Sequence, residues 1–256
     1  MILGVSRHTS SWAVLSETGR FPLTLRIFNN IIKFYFHLRN STNNILNTAL
    51  TTNIRLAKEG NNTWFRALER ISKFLNLEQL LITSNREEIM NQLTKLKKTS
   101  TKLFIDEWQK ERVELSGQSS KLGIFLVIKT SFSLSDYLMK SVYPSHRIAL
   151  SKIRLSDHKF PIEVGRHDNI PREHRLCPFG CNQVGTESHY IFKCKQPFIR
   201  EIIDEFLSKA EINECIDVTD EEISLTNLLK TNDTNIIKVF GCMNSRIQTI
   251  FKEITS

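Results

Sequence analysis

The stretch CPFGCNQVGTESHYIFKC, residues 177–194, decides how its part of the chain folds. It sets three cysteines and one histidine at the spacing C-x3-C-x7-H-x4-C, namely Cys177, Cys181, His189 and Cys194. A structural zinc ion takes four thiolate or imidazole ligands in a tetrahedron, commonly a close cysteine pair on a turn and a second pair from another segment. The spacing therefore predicts one structural zinc ion, held by a cysteine turn and a second arm that carries His189 and Cys194.

Other interpretations of these residues stay open. Free cysteine is among the most buried residue types, so the four side chains could be ordinary core residues. A catalytic zinc ion, with Glu187 as its base, is disfavoured because catalytic sites keep one coordination position for water, whereas this stretch offers four ligands. A disulfide is disfavoured because the chain has five cysteines and no visible secretory signal. Cys215 and Cys242 stand alone and are expected in the core.

The composition predicts a mainly α fold. The 256 residues include only 9 glycines and 6 prolines, with 40% hydrophobic content, which favours helices over a sandwich or a barrel. No apolar run is long enough to span a membrane. We expect a helical region over residues 1–116, and then residues 117–256 with a basic segment, a zinc-stabilised CCHC module at 166–196 and C-terminal helices.

Apolar periodicity places the helices more closely. Helices are predicted at Leu25–Leu38, Asn44–Leu56, Thr63–Leu77, Asn85–Val113 with a break near Thr99–Thr101, Ser145–Arg154, Leu225–Leu229, Ile236–Phe251, and from Pro197 onward. Residues 117–120 read as a linker. The chain is expected to change from helical to extended at Pro161.

The charge is unevenly distributed. The net charge is +8, but residues 200–256 hold 6 Lys or Arg against 11 Asp or Glu, so residues 1–199 carry +13. A basic surface of this size is typical of proteins that bind nucleic acid, although a solvated helical face would look similar. The candidate phosphate contacts are Lys152, Arg154, Arg166, Arg172, Arg175, Lys193 and Lys195. Arg154 and Arg166 could instead form a structural ion-pair network with Glu163.

Several short motifs, most of them between residues 152 and 200, resemble a known family. They are KIRxSxHxFxIExGR at residues 152–166, IPRxxRxC at 170–177, ExHYIFxC at 187–194, and FIR at 198–200. An opening stretch, LGVSRxTS at residues 3–10, belongs with them. Together they resemble the C-terminal region of non-LTR (LINE-type) retrotransposon polyproteins, which lies downstream of the reverse transcriptase.

The resemblance implies a nucleic-acid-binding fragment without a catalytic centre of its own. The family's Tyr-x-Asp-Asp polymerase motif is absent, and so is a Pro-Asp pair after Cys194. The implied partners are RNA or DNA and the rest of a reverse transcriptase polyprotein, with no membrane and no small-molecule substrate, in the nucleus or cytoplasm. The alternatives are a zinc-stabilised protein–protein interaction module or a non-functional remnant of an element.

Overall fold

The computed structural model describes residues 3–74, 78–82, 86–116, 121–140, 142–210 and 220–254. Within these ranges the chain is mainly helical, which confirms the prediction from composition. The same residues contain no β-sheet and only two isolated antiparallel bridges, Thr18 with Leu134 and Leu176 with Val184. None of the described helices is long and apolar enough to cross a bilayer. The predicted linker 117–120 and Cys215 lie outside the described residues.

The described α-helices follow the apolar periodicity of the sequence. They are α1 Ser11–Glu17, α2 Leu23–Arg39, α3 Asn44–Lys58, α4 Trp64–Phe74, α5 Arg86–Ser116, α6 Gly123–Ile128, α7 Pro144–Arg154, α8 Pro161–His167, α9 Pro197–Ala210, α10 Glu221–Lys230 and α11 Thr234–Ile254. The predictions for α2, α3, α7 and α9 are confirmed to within two residues at the ends that were predicted. The helices predicted at Leu225–Leu229 and Ile236–Phe251 are the middle parts of α10 and α11.

Two predictions about helix continuity are wrong. Pro161 does not lead into an extended segment but begins α8, where its missing N–H costs nothing and its fixed φ suits the first helical position. Thr99–Thr101 does not break α5, which runs without interruption from Arg86 to Ser116. There Ser100 donates its hydroxyl to the Lys97 carbonyl one turn back, so the side chain is accommodated within the helix.

The chain forms two compact units. The first consists of the described parts of Met1–Arg20 and Glu111–Ser256, and the second is Phe21–Lys110. The observed division therefore differs from the boundary expected at 116/117, because the first 20 residues belong with the C-terminal part. Glu17 explains this placement, since its fully buried carboxylate pairs with the guanidinium of Arg154 and its carbonyl accepts the Ser135 N–H at 3.0 Å.

The second unit is a small helical bundle. Helices α2, α3 and α4 pack together around apolar side chains of all three. These include Ile32, Tyr35, Leu50, Phe65 and Leu68. The Tyr35 hydroxyl and the Arg39 guanidinium both donate to the Leu81 carbonyl, which fastens the segment after α4 to α2.

In the first unit α11 occupies the centre and packs on α7 and α9. The core around it includes the buried side chains of Phe160, Tyr190 and Phe251 together with Cys177 and Cys194. The Phe251 ring of α11 lies 4.6 Å from the Tyr190 ring and 5.0 Å from the Phe160 ring, centroid to centroid. The cysteine-rich stretch is therefore part of the main core of this unit and not an appended finger.

Candidate metal centre

A short hairpin carries the first two cysteines. The N–H of Cys177 donates to the Gln183 carbonyl and the N–H of Gly185 to the Arg175 carbonyl, both at 2.8 Å. The loop between these bonds contains Gly180 at φ +77 and Asn182 at φ +51, left-handed conformations that glycine and asparagine tolerate best. This backbone reverses the chain tightly enough to bring the sulfurs of Cys177 and Cys181 together.

A π-helical turn, His189–Lys193, positions the other two side chains. In an α-helix, residues five positions apart point about 140° away from each other, because each residue turns by about 100°. The wider turn reduces that divergence, and it is closed by the Cys194 N–H, which donates to the His189 carbonyl at 2.8 Å. The Thr186 hydroxyl caps the arm by accepting the His189 N–H at 3.1 Å. The spacing H-x4-C is thus accommodated here by a π turn.

The structure brings the four side chains that the spacing singled out into one cluster. One atom from each of Cys177, Cys181, His189 and Cys194 lies within 4.8 Å of all the others. The sulfurs of Cys181 and Cys194 are 3.8 Å apart. A tetrahedron with zinc–sulfur bonds of about 2.3 Å has sulfur–sulfur edges of about 3.8 Å. These four residues could therefore bind one metal ion.

The imidazole of His189 is oriented for metal binding. Its Nδ1 lies 3.1 Å from the Gln183 side-chain carbonyl oxygen, an acceptor, so Nδ1 carries the proton and Nε2 keeps its lone pair. The Nε2 atom is buried and has no hydrogen-bond partner. A buried nitrogen without a partner costs free energy unless something satisfies it. A metal ion would do so, and the hydrogen bond of a ligand histidine to a neighbouring group is typical of metal sites.

The backbone after the π turn supports the sulfurs. Burial works against the thiolate of Cys181, but the backbone N–H of Lys195 donates to it and, with the nearby thiols and the Lys195 charge, lowers its pKa. Burial raises the pKa of Cys194 to about 12. The hydrogen bond from the Gln196 N–H lowers this pKa, and the charges of Cys177 and Cys181 raise it. Thiols this close resist ionising together, so a cation between them is needed for all three to be thiolates.

A buried hydrogen bond connects the metal arm, the segment 186–194 that carries His189 and Cys194, to the segment between α7 and α8. His158 accepts the Phe160 N–H on Nδ1, so its Nε2–H donates to Glu187, 2.9 Å away. Burial opposes ionisation of Glu187, but the hydrogen bond from His158 outweighs it and lowers the pKa of this carboxyl. The Glu187 carboxylate therefore positions the arm, two residues before His189, and is already engaged.

The predicted phosphate contacts occupy very different environments. Arg154 is 5% exposed, bonded to Glu17 and to the Leu229 carbonyl, and so lies in the core. Arg175 is half-buried; it crosses Gly165 and donates to the carbonyls of Ile162 and Ile170 at 2.9 and 2.8 Å. Both guanidiniums hold the fold together.

The remaining predicted contacts are nearer the surface. Arg166 pairs with Glu163 at 3.0 Å, and Lys193 pairs with Glu221 at 2.9 Å. Arg172 and Lys195 are exposed on either side of the cysteine-rich stretch. Lys152 lies on α7, half-buried at the edge of a groove described below.

Comparison of the chain with protein-family models, with curated proteins and with solved structures found no match in any of the three. Sequence reasoning named the four clustered residues but missed Gln183. A glutamine two positions after a cysteine is no signal by itself, because its role depends on the hairpin that turns it toward His189. The bond between His158 and Glu187 was missed for the same reason, since 29 residues separate them.

Proposed function

We propose that Cys177, Cys181, His189 and Cys194 bind one structural zinc ion, and that the chain is a zinc-organised nucleic-acid-binding fragment without a catalytic centre of its own. The observation that carries the proposal is the cluster of three sulfurs and the His189 imidazole, whose buried Nε2 has no hydrogen-bond partner. The motifs shared with the C-terminal region of non-LTR retrotransposon polyproteins support the functional part.

The donor set favours zinc over other common cations. Three sulfurs and one imidazole suit zinc, whereas calcium and magnesium take oxygen ligands. With four protein ligands the coordination shell is filled, as in structural sites, and bound zinc would supply folding free energy here. Cys177, His189 and Cys194 are each at most 5% exposed, so solvent has little access.

Charge supports nucleic acid as the partner. The first 199 residues carry +13, and Arg172 and Lys195 bracket the metal stretch at the surface. Arginine pairs with phosphate through two parallel hydrogen bonds, which gives affinity and orientation with little base readout. The family resemblance assigns such a region to holding template RNA or target DNA during reverse transcription.

The test has two readouts on the purified full chain. The first is the metal content per chain, which we expect to be one zinc. The second is binding of a labelled single-stranded RNA and a DNA duplex across a salt series, repeated after chelation. A steep salt slope that is lost on chelation is the expected result, because phosphate contacts release counterions. A metal-free protein, or binding that ignores salt, would overturn the proposal.

A protein-interaction module is the second candidate. It is favoured by apolar side chains near the site, Ile170, Leu176 and Phe198, which are 38%, 44% and 42% exposed. Exposed apolar residues of this kind can mark a protein interface. Tight zinc without salt-dependent nucleic-acid binding would favour this second function.

A further inference from the structure

A large open groove runs along the first unit, beside the segment that bonds to the metal arm. Its volume is about 1080 Å³. It is lined by the loop at residues 4–8 and by parts of α7, α8 and α11. Pockets for small molecules have volumes of roughly 300 to 1,000 Å³, so this groove is at or above their upper limit and suits an extended ligand.

The charge of the groove is strongly positive. Among the described residues that line it are four lysines, Lys121, Lys152, Lys159 and Lys252, and one carboxylate, Asp157. The Asp157 carboxylate is engaged by the Ser6 N–H at 2.7 Å, so it is turned toward the backbone of the opening loop. Lysines gathered in a concave surface raise the local concentration of a polyanion.

Two histidines supply flat rings at the same groove. His8 and His167 are both exposed and line it. In each case the preceding arginine donates to the histidine Nε2, Arg7 to His8 at 3.2 Å and Arg166 to His167 at 3.1 Å. Imidazole and guanidinium planes are surfaces on which unpaired bases stack. The groove therefore combines cations for phosphates with flat surfaces for bases.

The walls are held in place by the backbone. Gly4 approaches Ile148 so closely that a Cβ at this glycine would lie 2.6 Å from the isoleucine side chain. Ser156 adopts φ +50 at the end of α7 and so directs Asp157 toward Ser6. The next residue, His158, lines the groove and also bonds to Glu187 of the metal arm. The groove and the metal centre thus share one segment.

We propose that this groove is the binding site for a single nucleic-acid strand, with Lys152 and Lys159 on phosphates. The inference rests on the proposed nucleic-acid-binding function and assigns it a surface. The metal centre then acts on binding indirectly, through the His158–Glu187 bond that holds one wall. On this assignment the exposed arginine and lysine beside the metal, Arg172 and Lys195, contribute less than the groove does.

The test compares charge-removing double variants of the full chain. They are Lys152→Gln with Lys159→Gln in the groove, Arg172→Gln with Lys195→Gln beside the metal, and Lys230→Gln with Lys238→Gln as a control at exposed sites outside both. Each removes two charges. The probe is a labelled single-stranded RNA, titrated from low to high sodium chloride, with the matching DNA duplex as a second probe. Circular dichroism and zinc content establish that each variant is folded and loaded.

Counterion release sets the expected size of the effect. Each single-strand phosphate contact contributes about 0.7 to the slope of log K against log salt, so the groove variant should lose about 1.4 in slope. At a salt concentration of about 0.1 M, this is roughly a 25-fold loss of affinity. We expect the control variant to bind as the unmodified chain does, and the single strand to bind more tightly than the duplex.

The outcomes separate the two proposals. If the unmodified chain binds the probes and only the Arg172 and Lys195 double variant binds them more weakly, the groove is not the binding site. The proposed nucleic-acid-binding function then still stands. The groove assignment would also be overturned if the chain bound the duplex more tightly than the single strand and the groove variant kept that preference. If the unmodified, zinc-loaded chain binds neither probe, the nucleic-acid function falls and the groove assignment falls with it.

Discussion

At the scale of single residues, Gln183 determines what His189 can do. Its side-chain oxygen accepts from Nδ1 and leaves the buried Nε2 without a hydrogen-bond partner. Partners of this kind fix the tautomer and ring orientation of a metal ligand. The four clustered residues could be found from spacing alone. Their partner could not, because the contact arises only when the hairpin and the π turn come together in space.

Replacing Gln183 should weaken metal binding without unfolding the chain. For Gln183→Ala we expect zinc affinity to fall by roughly 10- to 100-fold, because the imidazole loses its orienting partner. Competition with a chromophoric chelator measures this. Gln196→Ala is the matched control, since Gln196 acts on Cys194 through its backbone N–H, which the substitution keeps. Equal affinities for the two variants would contradict the role given to Gln183.

A second residue, Arg154, was predicted to contact phosphate, but in the structure it forms an ion pair in the core. Burial disfavours its charge, but Glu17 compensates and raises the pKa of the guanidinium. The Arg154→Ala substitution would leave the Glu17 carboxylate buried without its partner. Breaking a buried pair in this way typically costs about 3 to 5 kcal/mol.

Urea unfolding of the first unit measures that cost. We expect a loss of this size for Arg154→Ala, and a loss below about 1 kcal/mol for Lys152→Ala, two residues earlier on the same helix at the half-buried groove edge. A small effect at Arg154 would mean that Glu17 finds another partner.

At the scale of elements, helix ends explain where sequence reasoning succeeded and failed. Gly60 follows α3 in a left-handed conformation, and the next N–H, of Asn61, bonds back to the Leu56 carbonyl. Glycine there is an ordinary stop signal that can be seen in the sequence. The same arrangement ends α7, but with Ser156 in the glycine position and the Asp157 N–H bonded to the Lys152 carbonyl at 2.8 Å. A serine gives no such signal.

The strain at Ser156 should be measurable. For an L-residue the left-handed conformation costs roughly 1 to 2 kcal/mol, part of which glycine recovers. We expect Ser156→Gly to raise the free energy of unfolding by about 0.5 to 1 kcal/mol, and the β-branched Ser156→Val to lower it by about 1 to 3 kcal/mol.

The control for this pair lies at the end of α8. Asn169 holds the equivalent position at φ +55, and asparagine tolerates it better than serine does. Asn169→Gly should therefore change stability less than Ser156→Gly. The opposite order would remove strain as the explanation.

Helix location was predictable and helix junctions were not. Apolar periodicity located α2, α3 and α7 because each buries one face against neighbours. Pro161 was misread because proline stops one helix and starts another with the same φ. Whether a proline ends or begins a helix depends on its surroundings. Here the buried ring of Phe160, the residue before α8, packs with its centroid 4.9 Å from that of Tyr190 and so holds the start of α8 in place. That contact joins residues 30 positions apart.

At the scale of the whole molecule, two of the candidate metal ligands, Cys177 and Cys194, belong to the main core of the first unit. Cys177, Tyr190 and Cys194 share that core with Phe240 and Phe251 of α11. Folding free energy from the metal, about 10 to 16 kcal/mol in small zinc peptides, would therefore act on the unit as a whole. A separate zinc module at residues 166–196, as expected from the sequence, would instead limit that effect to its own segment.

Hydrogen exchange distinguishes these two expectations. For Cys194→Ser we expect protection to fall in α7, α9 and α11, with α2, α3 and α4 of the second unit unchanged. Cys242→Ser is the control, because Cys242 lies on α11 outside the cluster. Loss of protection confined to residues 166–206 would show that the metal stabilises only its own segment.

The pairing of Glu17 with Arg154 also has a consequence for folding during synthesis. The two residues are 137 positions apart, and all of Phe21–Lys110 lies between them. A ribosome adding about 5 to 20 residues per second makes Arg154 roughly 7 to 27 seconds after Glu17. The second unit can fold in that interval, during which the Glu17 carboxylate of α1 has no Arg154 to pair with and stays hydrated. Glu17 thus gains its buried partner only after all of Phe21–Lys110 has been made.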